Sequence, residues 1–282
     1  MARGGVHVPK IIAVNYEQGF LLQEDLGATL YLDALNNESQ DRLYDSAEAT
    51  LLQIQKLPSD SALFPRYDET LLRCELELFP EWFVSGLLDV QFGTQARSLL
   101  DDVFTVLLNN AAQQPQVVVH RDFHSRNLLV LEDGGVGVID FQDAVFGPLS
   151  YDLVSLLRDC YIRWPTALVE QRVEGFRCKL LAQAEEQGQT ITLPNSATFL
   201  RWFDLMGLQR HLKVLGIFAR LALRDDKTRY LDDLPLVLRY VLEVAKKYPE
   251  TEGFYRWFIQ CLEPKIIDQA WYQPWQSAGE PL

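Results

Sequence analysis

The fold of this chain is decided by a polar loop between apolar strands, Val119-His120-Arg121-Asp122-Phe123-His124-Ser125-Arg126-Asn127, and by the segment Val138-Ile139-Asp140-Phe141 that follows it. Three β-prone runs surround these polar residues, at residues 117–119, 128–131 and 136–139. Before and after this region, apolar residues recur mainly at helical spacing. This spacing predicts a helix over residues 94–112 and two helices with apolar stripes, one at Leu43, Ala47, Leu51 and Ile54 and the other at Leu208, Leu212, Leu215, Ala219 and Ala222. The sequence therefore predicts an α+β fold that is mostly helical.

A hairpin explains the spacing of the two polar segments. With residues 132–135 as a four-residue turn, Leu128 pairs with Ile139, and one step further Asn127 faces Asp140. Directly opposed residues of an antiparallel pair point to the same face, with Cβ atoms roughly 5 Å apart. An amide oxygen and a carboxylate are hard ligands of the kind that Mg²⁺ prefers. The pattern predicts a cation site shared by Asn127 and Asp140.

Asp122 precedes Asn127 by five positions. From there its carboxylate can orient an attacking hydroxyl and accept its proton. An ordinary turn would also tolerate Asp and Asn at these positions, and His120-x-x-x-His124 has the spacing of a zinc site. The zinc interpretation is disfavoured because Arg121 stands where a zincin needs Glu and because the segment reads as a loop.

The pattern His-x-Asp-x-x-x-x-Asn, followed by Asp-Phe, resembles the catalytic and metal loops of the protein-kinase-like phosphotransferases. The Gly of the protein-kinase metal loop is replaced by Gln142, and Gly147-Pro148 with Tyr151-Asp152-Leu153 is similar to the aminoglycoside and choline phosphotransferase branch. This resemblance implies a protein-kinase-like fold, with a mostly helical C-terminal lobe and a truncated β-rich N-terminal lobe. It also implies that ATP and Mg²⁺ are used.

More narrowly, three segments look like the bacterial anomeric kinases of N-acetylmuramate and N-acetylglucosamine: residues 120–128, residues 139–144 and residues 205–220. The similarity covers most of the chain from Val6 to Pro235. It implies transfer of phosphate from ATP to the C1 hydroxyl of an amino sugar in cell-wall recycling. Two alternatives remain open, namely a non-catalytic nucleotide-binding or scaffold remnant and an aminoglycoside- or choline-type kinase with another substrate.

The N-terminal segment departs from the family pattern. The resemblance makes Glu24-Asp25-Leu26 a hinge that binds adenine, yet only about 23 residues precede it. The Gly-rich loop and strand Lys of this class are expected upstream of the hinge, and neither Gly4-Gly5 nor Lys10 fits these roles. We therefore expect a remnant of the N-terminal lobe and hinge over 1–27, a helical C-terminal lobe over 28–270, and an irregular tail over 271–282.

Further roles are assigned to residues around the motif. His120 and Arg121 are expected to brace the catalytic loop, and Asp152 to cap its helix or tie the loop down. Four other residues are candidates for contact with the sugar: Asp143, Arg158, Arg210 and His211. For the last three, and for Lys213, a solvated helix face is the alternative interpretation.

Composition limits the partners. The 282 residues include 26 Lys and Arg against 39 Asp and Glu, a net charge of −13, which disfavours nucleic-acid binding by neutralisation of phosphates. No apolar run reaches the ~18 residues of a membrane span, and the N-terminus lacks a signal-peptide core. Four scattered cysteines without a C-x-x-C pair suggest reduced, mostly buried thiols. We expect a cytoplasmic protein whose partners are ATP and a small sugar, with no prediction of its oligomeric state.

Overall fold

The computed structural model describes residues 1–58, 62–186, 188 and 192–280. Contacts between Cα atoms divide the chain into two compact units. The first comprises Met1–Arg66, Pro115–Asp159 and Arg172–Leu193, and the second comprises Tyr67–Gln114, Cys160–Gln171 and Pro194–Leu282. The domain bounds expected from the resemblance, after residues 27 and 270, separate the lobes of the family and not groups of residues in contact. They stay a prediction.

The first unit contains three antiparallel strand pairs. They are β1 (Ile11–Asn15) with β2 (Phe20–Gln23), β3 (Gln116–Val119) with β6 (Val145–Pro148), and β4 (Leu128–Val130) with β5 (Val136–Val138). Its helices are α1 (Tyr31–Ala34), α2 (Gln40–Gln55), α5 (Tyr151–Leu157) and the part of α6 (Thr166–Glu186) that starts at Arg172. Every residue of β1 and β2 is exposed, whereas β5 is buried throughout.

Helix α2 forms because its apolar residues recur every three or four positions, which places them on one face. The predicted stripe is confirmed: Leu43, Ala47, Leu51 and Ile54 are all fully buried. The same helix buries a carboxylate, Glu48, which is 1% exposed. Arg172 on α6 donates to it at 3.1 Å and so compensates the cost of burying this charge.

The second unit is helical. It contains α3 (Glu69–Leu76), a π-helical segment (Phe79–Leu87), α4 (Thr94–Ala112), α7 (Ser196–Asp225), α8 (Leu234–Lys247), α9 (Pro249–Trp257), a second π-helical segment (Phe258–Leu262), α10 (Glu263–Ile267) and short 3₁₀ turns at Thr228–Asp233 and Trp275–Ser277. Aromatic rings make up part of its core, where Phe79 contacts Phe83, Phe254 and Phe258 with centroids 5.7–6.4 Å apart. The apolar stripe predicted on α7 is buried, at Leu208, Leu212, Leu215, Ala219 and Ala222.

Two expectations about the surface are corrected. The segment after Ala270 is not wholly irregular, because the Arg239 guanidinium donates to the carbonyl oxygen of Ala278 at 2.9 Å and to the Glu280 carboxylate at 3.0 Å. Its Trp271 and Ala278 are buried, and residues 281 and 282 lie outside the described part. The four cysteines form no disulfide with one another, and only Cys160 is buried, whereas most of them were expected to be. Across the described residues, no helix is long and apolar enough to cross a membrane.

Candidate active site

The loop from His120 to Asn127 connects β3 to β4 and is held by its own backbone. The amide N–H of His124 donates to the carbonyl oxygen of Asp122 at 3.0 Å, and that of Asn127 donates to the carbonyl oxygen of His124 at 2.9 Å. The Asn127 side-chain amide also donates to the Asp122 carbonyl at 3.0 Å. Both side chains are half-buried. The two residues that the sequence singles out are therefore linked directly, at opposite ends of one turn.

Asp152, in the first turn of α5, fixes the start of this loop. Its carboxylate oxygens accept hydrogen bonds from the backbone N–H of His120 at 2.6 Å and of Arg121 at 3.0 Å. Asp152 has no exposed surface, so these charge-assisted bonds form away from water. Arg121 has a φ of +77°, a left-handed conformation that a non-glycine residue rarely adopts. The carboxylate thus holds the loop in a backbone conformation that it would otherwise leave.

His120 is fully buried beneath the loop. Its Nε2 atom lies 3.1 Å from the carbonyl oxygen of Ile139, and its Nδ1 atom lies 3.3 Å from the backbone nitrogen of Asp122. A carbonyl oxygen only accepts and a backbone N–H only donates, so the ring is neutral with its proton on Nε2. Burial lowers the pKa of His120 to about 4, against the opposing effect of the Asp122 carboxylate. The neutral ring connects the loop of residues 120–127 to Ile139, directly after β5.

A second buried carboxylate holds the middle of the loop. Asp159, which is 1% exposed, accepts a hydrogen bond from the backbone N–H of Ser125 at 2.9 Å. The carbonyl oxygen of Ser125 accepts in turn from the backbone N–H of Leu32 at 3.1 Å. The sequence analysis missed Asp159. Asp159 lies two residues beyond the end of α5 at Leu157, so no helical periodicity connects it to Asp152 and the sequence pattern gave no signal for it.

The β4–β5 hairpin has a different register from the predicted one. Leu128 pairs with Val138 rather than with Ile139. The turn has three residues, not four, because Leu131 is paired with Gly135 by an N–H to O bond of 3.0 Å. Gly134 has a φ of +82°, the left-handed conformation that three-residue hairpin loops require and that glycine adopts without strain.

This shift changes the neighbours of the proposed metal ligands. The carbonyl oxygen of Asn127 accepts from the backbone N–H of Ile139 at 3.1 Å, so the predicted pairing of Asn127 with Asp140 is wrong. Asp140 lies one residue beyond the pair, with a φ of +63°, where the chain leaves the strand direction. Its carboxylate is exposed and accepts from the Gln142 amide at 2.7 Å.

The donor chemistry of these two residues fits Mg²⁺. The Asn127 amide nitrogen is occupied by the Asp122 carbonyl, which leaves its oxygen as the atom to offer to a cation. Asp140 adds an exposed carboxylate. Among the described residues, no group of three or more His, Cys, Asp or Glu side chains forms a metal cage. Mg²⁺ is usually held by one or two carboxylates together with substrate phosphates and water, and a small ligand set of this kind is sufficient for it.

An open cleft of about 710 Å³ lies beside the hinge segment, within the volume range of small-molecule sites. It is lined by His7, by residues 24–29 and by residues 130–133, so all three predicted adenine-binding residues border it: Glu24, Asp25 and Leu26. Backbone bonds of 2.9 Å attach two parts of this lining to the β4–β5 hairpin: Val130 donates to the carbonyl oxygen of Thr29, three residues after the hinge segment, and Val138 donates to that of His7 in the N-terminal segment.

The candidate sugar-contacting residues have varied surroundings. Asp143 is exposed, in the turn after Asp140. Arg158 is 8% exposed and follows α5 in the first unit. Arg210 and His211 lie on α7 in the second unit: Arg210 donates to the Cys160 sulfur at 3.5 Å, and His211 stacks on Tyr240 at 4.8 Å. The alternative interpretation of a solvated face is wrong for all four basic residues, including Lys213, because each is buried.

Comparisons with known proteins give one enzyme family and relatives that share one name. Residues 1–187 match the model of the phosphotransferase enzyme family. The chain is similar to an N-acetylmuramate/N-acetylglucosamine kinase of Pseudomonas putida, with 45% identity over 250 residues that cover 89% of this chain and 72% of the relative. A protein of the same name from Neisseria meningitidis is 40% identical over 271 residues, which cover 93% of this chain and 78% of the relative.

Solved structures with much lower identity share the fold. An ethanolamine kinase of Plasmodium vivax has a TM-score of 0.62 at 14% identity, over 89% of this chain and 71% of the other. The GDP complex of an aminoglycoside 2'-phosphotransferase-IIIa has a TM-score of 0.57 at 17% identity, over 86% of this chain and 77% of the other. The protein-kinase-like fold expected from the sequence is confirmed at this level.

Proposed function

The chain belongs to the phosphotransferase enzyme family, and we propose that it transfers the γ-phosphoryl group of ATP to the anomeric C1 hydroxyl of N-acetylmuramate or N-acetylglucosamine in cell-wall recycling. The name of the relatives supports the sugar, at 40–45% identity over most of this chain. The geometric observation that carries the proposal is the anchored loop on which Asp122 and Asn127 are joined by a 3.0 Å hydrogen bond.

Asp122 is the proposed proton acceptor. The sugar oxygen forms its bond to the γ-phosphorus while the bond from that phosphorus to the bridging oxygen breaks, and ADP leaves. The proton of the sugar hydroxyl passes to the Asp122 carboxylate. Because catalysis of phosphoryl transfer depends on positioning and charge, the loop must hold this carboxylate still. The bonds to Asp152 and Asp159 supply that rigidity.

Asn127 and Asp140 are the proposed Mg²⁺ ligands. The cation, when bound with nucleotide, supplies positive charge that offsets the negative charge of the phosphate oxygens. The side-chain amide nitrogen of Asn127 donates to the carbonyl oxygen of Asp122, and this bond fixes the orientation of the amide oxygen. Asp140 contributes a full negative charge from the turn after β5. The two residues therefore approach the cation from separate segments.

Nucleotide binding is assigned to the cleft beside Glu24, Asp25 and Leu26. The volume of this cleft, about 710 Å³, is sufficient for a purine base with its ribose. The backbone bonds at Thr29 and His7 fix the chain after the hinge segment and the N-terminal segment against the β4–β5 hairpin. A binding surface that is held before the ligand arrives loses less entropy on binding.

The test is phosphate transfer from ATP to a panel of N-acetylmuramate, N-acetylglucosamine, an aminoglycoside and choline. Transfer to the two amino sugars alone is expected, and preferred transfer to the aminoglycoside or choline would assign the chain to that substrate class instead. Absence of transfer to any acceptor, with ATP still bound, would support the non-catalytic alternative.

The variant Asp122→Asn tests the role of Asp122 as a base separately from nucleotide binding. It should lower kcat by about 10²-fold or more, because general base catalysis contributes roughly 10²–10⁴-fold. The Kd for Mg²⁺-ATP, measured by calorimetry, should change little, since Asp122 acts on the acceptor hydroxyl. The exposed carboxylate of Asp102 on α4 provides the control, as Asp102→Asn should affect neither quantity. Equal losses of turnover and ATP affinity in Asp122→Asn would remove Asp122 from the base role.

A further inference from the structure

Gly137 is an unusual residue for its position. It is the central residue of β5 and is buried between Val136 and Val138. Glycine inside a strand loses more conformational entropy on folding than other residues and packs no side chain. The φ angle does not require glycine here, because Gly137 is not among the glycines with positive φ. The remaining explanation for glycine at this position is that neighbouring atoms leave no room for a side chain.

Neighbouring side chains occupy the volume that a side chain at position 137 would need. A Cβ atom on Gly137 would lie 3.0 Å from Cδ1 of Leu26, 3.0 Å from Cδ2 of Leu131 and 3.4 Å from Cβ of Leu129. Carbon atoms in favourable contact are about 3.5–4.0 Å apart, so the first two side chains would have to move. Leu26 and Leu131 both line the cleft beside the hinge.

We propose that Gly137 is a positioning residue for the nucleotide: the missing side chain lets Leu26 and Leu131 close over β5 and form the apolar surface on which the base of ATP lies. This inference rests on the proposed function. Leu26 belongs to the hinge segment and Leu131 directly follows β4, so side chains from two different segments converge on Gly137. The distance between hinge and hairpin is thus set by a residue that touches no ligand.

The charge of the cleft decides which part of ATP occupies it. Four carboxylates line the cleft, from Glu24, Asp25, Glu132 and Asp133, against a single histidine, His7. A triphosphate would be repelled by this lining, because like charges at short range raise the free energy of binding. The base is the neutral, planar part of ATP. It is the part that an apolar surface surrounded by carboxylates accepts.

The test is a graded series, Gly137→Ala and Gly137→Val. The larger side chain overpacks this site and displaces Leu26 and Leu131, while the strand preference of valine offsets part of the lost stability, so the fold should be retained. We expect the Kd for Mg²⁺-ATP, measured by calorimetry, to rise about tenfold or more for Val, because its side chain overpacks the contact with the two leucines. The rise should be smaller for Ala, which adds only one methyl group. The KM for ATP should rise in parallel, and kcat at saturating ATP should stay within about threefold of the wild type.

Two further variants make the result specific. Val136→Ile adds a methyl group on the opposite face of the same strand, so it should leave the Kd for ATP unchanged even if it alters thermal stability. In a Leu26→Ala background, Gly137→Val should raise the Kd by a smaller factor than in the wild-type background, because one of the two displaced side chains is gone.

Two outcomes overturn the inference and are distinguishable from failure of the proposed function. If the wild-type chain binds Mg²⁺-ATP and Gly137→Val binds it equally well, Gly137 has no positioning role. If Gly137→Val weakens binding by the same factor with and without Leu26, the effect does not pass through the hinge leucine. A wild-type chain that binds no ATP would instead refute the proposed function, and the inference with it.

Discussion

Two residues of the candidate site have left-handed backbone. Among the described residues, Arg121 and Asp140 are two of the four non-glycine residues with positive φ, at +77° and +63°. Such conformations cost roughly 1–3 kcal/mol and persist only where the surroundings enforce them. At Arg121 the enforcing group is the Asp152 carboxylate. At Asp140 the left-handed backbone turns the chain out of the strand direction and leaves the carboxylate exposed.

The role of Asp140 is tested by Asp140→Asn. Asparagine is one of the residues that adopt left-handed backbone most readily, so this variant keeps the conformation and removes only the charge. We expect the gain in ATP affinity caused by Mg²⁺ to be lost, while affinity without Mg²⁺ is unchanged, in paired calorimetric titrations. The thermal unfolding midpoint should stay within a few degrees of the wild type. Retention of the full Mg²⁺-dependent gain would exclude Asp140 as a ligand.

His120 predicts a pH dependence of stability. Its pKa is lowered from 6.5 to about 4 in the native state by burial, so between these values the unfolded state binds more protons than the native one. The contribution to stability is therefore fully present above pH 6.5 and is lost as the pH falls through about 4. A shift of this size corresponds to about 3 kcal/mol.

Urea unfolding between pH 7 and pH 4 measures this effect. The free energy of unfolding of the wild type should decrease across the window, and His120→Asn should show a shallower decrease because asparagine does not titrate there. The variant should also be less stable at pH 7, since it cannot reproduce both hydrogen bonds of the ring. Identical slopes for the two proteins would contradict the assignment of a buried neutral histidine.

The proximity of single residues could be predicted where it depends on local spacing. Asp122 and Asn127 are linked by a contact within one loop, so a motif at fixed offsets was sufficient to find them together. The burial of Arg158 and Arg210 was missed because it depends on partners distant in sequence, such as the Cys160 sulfur beside Arg210. Charged residues are exposed in most proteins, and that general tendency misled here.

At the scale of secondary structure, apolar periodicity predicted the bounds of a helix more accurately than the assumed turn length predicted the register of a hairpin. The predicted helix over residues 94–112 coincides with α4, whereas the register of the β4–β5 hairpin was wrong by one residue. The reason is the side-chain period of two: a turn shortened by one residue changes every opposed pair. Both Gly134 and Gly135 could provide the left-handed position, and only the structure shows that Gly134 has it.

Helix α5 and the segment after it act as the support of the catalytic loop. Asp152 and Asp159 hold two points of the loop through its backbone N–H groups. Asp159→Ala should leave the buried N–H of Ser125 without its partner and lower the free energy of unfolding by about 1–3 kcal/mol. We expect kcat to fall more than the affinity for Mg²⁺-ATP, because the loop carries Asp122.

Asp159→Asn is the matched variant for this prediction. Its amide oxygen can still accept from Ser125, so much of the lost stability and turnover should return. Urea unfolding and steady-state kinetics of the two variants provide the measurements. Equal stability of Asp159→Ala and the wild type would show that the bond to Ser125 does not hold the loop.

At the scale of the whole molecule, each unit has its own buried core. The first carries the catalytic loop, the proposed metal ligands and the hinge, and the second carries the aromatic core around Phe79. The net charge of −13 is unfavourable for two anions, ATP and a sugar acid, so their negative charges must be compensated locally. Mg²⁺ at Asn127 and Asp140 is the proposed source of that compensation for ATP.

The central claim is that the chain phosphorylates the C1 hydroxyl of an amino sugar. A phosphate on C1 blocks ring opening, so the claim predicts loss of reducing sugar in a one-to-one ratio with ADP formation. The methyl glycoside of N-acetylglucosamine, whose C1 oxygen is blocked, should accept no phosphate, and Asp122→Asn should lower the rates of both signals together by about 10²-fold or more. ADP formation with full retention of reducing sugar, or transfer to the methyl glycoside, would contradict the account.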